Sequence, residues 1–357
     1  MHNMKNLDFY AVILSGGSGE RFWPLSTPER PKQFLKVFGG KSLIRQAVER
    51  LDGLVPPERI LVVTAASLAK ATRRELPELP RANIVAEPCR RDTAAAVATA
   101  CGVVERMGGE NSVAAILTAD QIMKDVKAFR RVLADAARAA AASDDIVTMG
   151  VEPDHPATGF GYIQVGKPAG LRMKTPFHRA VRFVEKPDAK TAAKYVASGS
   201  YVWNAGMFVW KVSTMKAALL AGAPALAILE AAVADRKNRV ASVMEKFYPQ
   251  LPRISIDYAV MEKAKNILVS RGAFGWDDVG TWSAAERHLP SDGRGNVAKG
   301  GVTLLDVSNT VAISEGPRIA ALGVDGLVVV ATGDSVLVAS KDRVQDLKKL
   351  LAEMPAK

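Results

Sequence analysis

The chain is 357 residues long, beyond the size at which one hydrophobic core usually stops growing, so two domains are expected. Hydrophobic residues make up 48% and charged residues 24%, which excludes disorder as a main theme. Two cysteines, Cys89 and Cys101, are too few for a disulfide framework or a zinc site. The net charge of +11 suits an enzyme for phosphorylated substrates as well as a nucleic-acid binder. The basic residues, however, are spread without a Lys/Arg run of five and without aromatic interleaving, so no nucleic-acid partner is expected.

In chain order, Phe9 to Leu14, Ile60 to Val63, Ala82 to Val85, Ser112 to Leu117 and Ile146 to Met149 read as buried strands. Between them lie helical patterns, Ser42 to Leu51, Ser67 to Leu76, Thr93 to Met107 and Asp125 to Ala142, with Thr93 and Asp125 as expected N-caps. That alternation implies βαβ units and a mostly parallel sheet covered on both faces. Tyr162 to Val165, Ala180 to Val184 and Trp203 to Trp210 read as further strands, with a helix capped by Asp188, and a helix-rich stretch runs from Thr214 to Lys265. From about Gly295 short Val/Leu/Ile runs alternate with Gly and Asp, which predicts a small all-β unit of stacked strands, closed by a helix over Lys341 to Glu353.

Apolar runs such as Phe9 to Leu14 are strand-length, against the roughly 20 residues a membrane helix needs. The N-terminal apolar stretch breaks at once into Ser15-Gly16-Gly17, unlike a signal peptide. The expectation is therefore a cytoplasmic protein with no membrane partner.

The first strand ends in a glycine-rich loop, "LSGGSGERFWPLSTPERPKQFL". Glycines let backbone N–H groups approach phosphate oxygens and form an anion-binding nest. Neither G-x-G-x-x-G nor a Walker A pattern is present. Arg21 and Lys32 place two cations near these glycines, an arrangement suited to a triphosphate attacked at its α-phosphorus. On the glycines alone, an ordinary strand–helix turn with exposed basic residues is an equal reading.

The string "AVILSGGSGERFWPLSTPERPKQFL" closely resembles the signature loop of sugar-1-phosphate nucleotidyltransferases, in the form found in the GDP-mannose pyrophosphorylase (mannose-1-phosphate guanylyltransferase) family. The resemblance implies that Leu14, Gly16, Gly17, Ser18 and Gly19 wrap the nucleotide, with Arg21 and Lys32 on pyrophosphate oxygens. "AEPCRRDTAAAV" is similar to the segment lining the family's guanine pocket, which brings in Glu87, Arg91, Asp92 and Thr93; Asp92 and Ala95 stand where the family has Asn and Pro. Asp120 in "AILTADQIM" follows a buried strand, at the end where α/β sheets bind ligands. The resemblance makes it a magnesium ligand together with Asp278 of "FGWDDVGTW", leaving Asp277 as a neighbour. "TGFGYI", "FVEKPD" and "WNAGMFVW" resemble the sugar side: Gly159 and Gly161 near the hexose, Glu185 and Asn204 at its hydroxyls with Gly206 leaving room, and Lys186 on the sugar phosphate. The tryptophans and Phe208 read as core, and His2, His155, His178 and His288 as structural, because no metal-ligand spacing or nucleophile partner accompanies them.

The family resemblance covers essentially the whole chain. It implies an α/β fold, a Rossmann-like nucleotidyltransferase domain over 1–290 with a mostly parallel mixed sheet. A small C-terminal left-handed β-helix-like domain over 295–357 follows. The chain ends before the phosphomannose isomerase domain of bifunctional relatives, so none is expected. The implied reaction joins GTP and α-mannose 1-phosphate into GDP-mannose and pyrophosphate with Mg²⁺ and no covalent intermediate, and a homodimer is one assembly it allows. The alternatives are the same chemistry on another nucleotide and hexose phosphate, or a catalytically silent regulator that binds nucleotide-sugars.

Overall fold

The computed structural model describes residues 7–17 and 19–354. The strands, in chain order, are β1 (Phe9–Ser15), β2 (Ile60–Ala65), β3 (Ile84–Glu87), β4 (Val113–Thr118), β5 (Ile122–Met123), β6 (Ile146–Val151), β7 (Tyr162–Pro168) and β8 (Phe177–Val184). They continue with β9 (Tyr201–Lys211), β10 (Ile267–Arg271), β11 (Trp276–Asp277), β12 (Val297–Lys299), β13 (Val302–Leu305), β14 (Val311–Ser314), β15 (Ile319–Leu322), β16 (Leu327–Ala331) and β17 (Val336–Ser340). The chain divides into two compact units, one of residues up to 16, 47–119 and 123–276, the other of 17–46, 120–122 and 277–357.

In the first unit, among the described residues, nine strands form one mixed sheet in the order β3-β2-β1-β4-β9-β6-β10-β8-β7. The first four are parallel, with Val12 opposite both Leu61 and Ile116. The expected βαβ alternation holds that far. Beyond β4 the antiparallel β9 is inserted, so β6 pairs with β9 rather than β4, and parallel pairing returns only between β6 and β10. Every residue of β1 except Leu14 is buried, because the strand lies between two neighbours and under cover on both faces. Tyr10 and Val12 face the cluster built on the helix Asp92–Gly108, whereas Phe9, Ala11 and Ile13 are buried away from it, the period-2 alternation of a strand. That helix is buried from Ala94 to Val104, and its small residues permit close approach. A Cβ on Gly102 would sit 2.5 Å from the Glu230 carbonyl oxygen of the helix Pro224–Ala234.

Two caps were expected correctly: Asp125 accepts from Ala128 N at 2.9 Å, and Asp188 from Thr191 N at 2.8 Å. Thr93 is not a cap. The helix begins one residue earlier at Asp92, and the Thr93 hydroxyl instead accepts from Ile256 N at 2.9 Å.

In the second unit, β12, β14 and β16 stack in parallel, as do β13 and β15, while β17 returns antiparallel to β16. Val297 lies opposite Val311, and Val311 opposite Val328, steps of 14 and 17 residues. The unequal steps explain why no strict repeat shows in the sequence. The expected closing helix is a 3₁₀ stretch at Lys341–Asp346 and turns α-helical only at Leu347–Glu353.

These strands share a single core with the glycine-rich loop. Phe22, Leu25, Leu35, Val37 and Phe38 pack in one cluster with Val279, Trp282, Val297, Val311, Val328, Val330 and Leu347. Trp282 is wholly buried and donates from Nε1 to the Trp23 carbonyl at 3.1 Å. The loop therefore rests on the β-helix-like strands as its floor. Trp282→Ala empties the middle of that core and is expected to cost about 3–5 kcal/mol. Urea denaturation followed by tryptophan fluorescence and far-UV circular dichroism measures the loss; a change below about 1 kcal/mol would mean that the loop does not depend on this core.

Candidate active site

In the first unit, the carboxyl ends of β1 and β3 bring Gly16 and Glu87 together: a Cβ on Gly16 would lie 3.5 Å from Glu87 Oε2. Leu14 is fixed through its carbonyl, which accepts from Ala119 N at 3.1 Å. Glu87 Oε1 accepts from the Tyr248 hydroxyl. Burial raises the Glu87 carboxyl above the usual range, partly offset by the bond from Tyr248, and burial with the adjacent Glu87 pushes the phenol up as well. Arg91 caps the same segment, donating from Nε to the Tyr248 carbonyl at 3.3 Å and from Nη2 to that of Pro249. Asp92 adopts a left-handed φ of 65° and accepts from Thr93 N at 2.7 Å, and Ala94 N donates to the Ile254 carbonyl at 3.2 Å. The start of this helix is thereby tied to residues 248–256.

A second cluster of the first unit gathers the expected sugar-side residues. Glu185 follows β8, its side chain 8% exposed, with Oε1 2.9 Å from Lys186 Nζ. Oε2 has no hydrogen-bond partner and faces Gly161, where a Cβ would collide with it. Lys186 sits at φ 46° with its side chain more than half exposed. Burial works to lower its pKa, but Glu185 and Asp257 outweigh this and raise it. Asn204, in β9, donates its main-chain N–H to the Gly161 carbonyl at 2.8 Å, and Gly206 takes a φ of 67° beside it. Gly159 is exposed, with open space where its Cβ would be. Trp203 and Trp210 are buried, in keeping with core roles.

The second unit holds the residues expected at the phosphates. Lys32, 7% exposed, donates from Nζ to Asp120 Oδ2 at 2.9 Å and to the Asp278 carbonyl at 2.7 Å, with the Phe22 ring 5.9 Å away. Gly19 packs against it at φ 63°; a Cβ there would lie 2.6 Å from Lys32 N. Gly17 is exposed and unconstrained, and Ser18 lies outside the described residues, as does His2. Burial raises the Asp278 carboxyl; Lys32 and Arg21 oppose that shift, and Asp277 adds to it. Asp277 is more than a neighbour. Its carboxylate accepts from Arg287 Nη2 and His288 Nε2, both at 2.8 Å, and from Val279 N at 2.8 Å. Burial alone would raise it, but Arg287 and His288 hold it well below the usual range. The structural role expected for His288 is this one.

Among the described residues, no group of three or more His, Cys, Asp and Glu is arranged around a metal. Two carboxylates suffice for a cation that takes its other ligands from substrate phosphates and water. Asp120 is 40% exposed at its side chain, and Gly280 leaves Asp278 its room, since a Cβ there would fall 2.7 Å from Oδ2. The residues present fit such an ion.

Tyr248 and Asp257 escape motif reading because their partners, Glu87 and Asn204, are 161 and 53 residues away.

A glycine loop after the first parallel strand, a lysine held by an aspartate, and a carboxylate–lysine pair at a strand end suit an enzyme of phosphate-linked group transfer. The chain belongs to the nucleotidyl transferase family and, within it, to the mannose-1-phosphate guanylyltransferases. The family model "Nucleotidyl transferase" matches residues 10–290, and "MannoseP isomerase/GMP-like beta-helix domain" matches 300–354. The mannose-1-phosphate guanylyltransferase of Escherichia coli is 38% identical over 346 residues, 95% of this chain and 72% of that one. The xanthan biosynthesis protein XanB of Xanthomonas campestris pv. campestris is 38% identical over 97% of this chain and 73% of its own. A crystal structure described as mannose-1-phosphate geranyltransferase from Thermus thermophilus superposes with a TM-score of 0.87 at 36% identity, covering 98% of this chain and all of that one. The family generally uses a divalent metal. Among the described residues no helix is long and apolar enough to cross a membrane.

The two glycines make a matched pair of tests. Gly19→Ala forces a left-handed L-residue against Lys32 and is expected to destabilise by roughly 1–2 kcal/mol in urea denaturation, whereas Gly17→Ala is expected to change stability by less than about 0.5 kcal/mol. Equal losses at both positions would contradict the packing of Gly19 on Lys32.

Proposed function

We propose that this chain transfers GMP from GTP to α-mannose 1-phosphate, giving GDP-mannose and pyrophosphate. The observation that carries the reading is the buried Lys32 ammonium on Asp120 and the Asp278 carbonyl, beside the glycine loop. The name of the Escherichia coli relative, matched across 95% of the chain, supports it. Two free cysteines, Cys101 buried and Cys89 half-buried, suit a reducing cytoplasmic setting.

The chemistry needs position and charge rather than a nucleophile on the protein. A phosphate oxygen of the sugar forms a bond to the α-phosphorus of GTP as the bridge to the β-phosphate breaks, and pyrophosphate leaves with the electron pair. Arg21 and Lys32 supply positive charge for the departing pyrophosphate, with the N–H groups of the Gly16–Gly19 loop around it. Asp120 and Asp278 would hold Mg²⁺, which neutralises phosphate charge when bound. Glu87, with Oε1 on Tyr248, keeps Oε2 to accept from guanine N–H donors, and Arg91, Asp92 and Thr93 hold the segment from which it works. Lys186 takes the phosphate of the sugar, with Glu185, Asn204 and the glycines 159, 161 and 206 around the hexose.

Pyrophosphate release measured across four nucleoside triphosphates and several hexose 1-phosphates tests this directly. GTP with mannose 1-phosphate is expected to give the highest kcat/KM; equal or better turnover with UTP or dTTP would overturn the guanine assignment. The two phosphate sites separate by binding. A charge-assisted lysine–phosphate bond is worth about 1.5–3 kcal/mol, so Lys186→Ala is expected to weaken mannose 1-phosphate roughly ten- to a hundredfold and GTP little. Arg21→Ala is expected to do the reverse. Calorimetry reads both, and weakening of GTP alone by both variants would remove Lys186 from the sugar phosphate.

A further inference from the structure

Asp257 opens a π-helical turn, Asp257–Met261, in the first unit, and no motif in the sequence points to it. Its Oδ1 accepts from Asn204 Nδ2 at 3.0 Å. The other end of the same amide, Asn204 Oδ1, accepts from Gly206 N at 3.1 Å. A main-chain N–H can only donate, and an ionised carboxylate can only accept. Asn204 thus lies between a pure donor and a pure acceptor, and a flipped amide would face both neighbours with the wrong atom. Gly206 reaches this position through its left-handed φ of 67°.

The neighbouring carboxylate is left incomplete. Glu185 Oε1 is taken by Lys186, but the buried Oε2 has no partner and points at Gly161, which has no side chain to meet it. A buried acceptor without a donor is costly unless a ligand supplies one. The second hydrogen on Asn204 Nδ2 is also uncommitted, since Asp257 takes only one. Burial and the nearby Glu185 push the Asp257 carboxyl up to about 6, in keeping with a tightly enclosed group in this cluster.

We propose that Asp257 is a positioning residue that sets hexose specificity by locking the Asn204 amide. The pocket then offers one N–H donor from Asn204 and one acceptor from Glu185 Oε2. Such a pair recognises two sugar hydroxyls, one accepting and one donating. A hexose 1-phosphate with either hydroxyl inverted leaves a buried polar group unpaired, which is how hydrogen-bonding sites discriminate strongly. The inference rests on the assignment of Glu185, Lys186 and Asn204 to the hexose phosphate.

A double-mutant cycle over Asp257→Ala and Asn204→Ala tests it, read as kcat/KM for mannose 1-phosphate and for glucose 1-phosphate, with GTP and sugar-phosphate binding by calorimetry. Alone, Asp257→Ala is expected to lower kcat/KM for the preferred hexose phosphate about ten- to a hundredfold and to narrow the discrimination between the two sugars, with the GTP dissociation constant within about twofold. In the Asn204→Ala background, the same change is expected to cost less than about threefold. Asp257→Asn keeps an oxygen for the Asn204 amide and is expected to hold discrimination within about fivefold of wild type. Full, multiplicative losses in both backgrounds, or unchanged discrimination in Asp257→Ala, would overturn the proposal. If Asp257→Ala does not fold, Asp257→Asn decides alone: retained discrimination supports the lock, and lost discrimination overturns it. A wild type that prefers another nucleotide contradicts the guanylyl reading while the cycle still reads out on its best hexose phosphate; a wild type that binds no hexose 1-phosphate overturns both.

Discussion

A buried ammonium is expensive unless its charge and its donors are matched, and Lys32 is matched by the Asp120 carboxylate and the Asp278 carbonyl. Lys32 and these two partners come from three distant stretches of sequence: the glycine-rich loop, the turn after β4, and the segment that follows β11. One side chain joins all three. Removing the Asp120 carboxylate leaves a buried charge unpaired, so the geometry around the glycine-rich loop is set jointly by the loop, Asp120 and the Asp278 backbone. Gly19 follows from the same constraint, because only a residue without a side chain lets the loop turn so tightly against the Lys32 backbone.

The loop's apolar residues give this polar junction its footing. Phe22, Leu25, Leu35 and Phe38 bury themselves with Val311, Val328 and Val330 of the stacked strands, and Lys299 donates to the Val37 carbonyl above that core. Arg30 and Glu315 add an ion pair at 2.7 Å, both side chains over a third exposed and hence of small energetic weight. The C-terminal strands therefore do more than terminate the chain: they supply the hydrophobic floor on which the cationic loop is built. The Asp277–Arg287–His288 cluster braces the adjoining backbone in the same unit, with Asp277 accepting from Val279 N one residue past Asp278.

Much of this was legible in the sequence where the signal is local. A strand that ends in glycines, an aspartate after an apolar run and an N-cap such as Asp125 are read from a few adjacent residues. Reading failed where partners lie far apart in the chain. Nothing near Glu87 announces Tyr248, and nothing near Asn204 announces Asp257. The Thr93 cap failed for a different reason: Asp92 takes a left-handed conformation and bonds Thr93 N itself, which frees the threonine hydroxyl for Ile256. The sheet departed from a parallel order because β9, an antiparallel strand late in sequence, is inserted beside β4, a long-range choice that apolar patterning does not encode.

The Lys32 junction makes a claim with two opposite signs. On the proposed reading, the ammonium would compete with a divalent cation for Asp120, yet supply charge that the departing pyrophosphate needs. Magnesium titration of Lys32→Ala, read by steady-state pyrophosphate release from GTP and mannose 1-phosphate, separates the two. In Lys32→Ala, kcat is expected to fall by roughly a hundredfold or more while the magnesium concentration for half-maximal rate drops. A variant with near-native kcat, or one whose requirement for magnesium rises, would contradict the role assigned to this lysine.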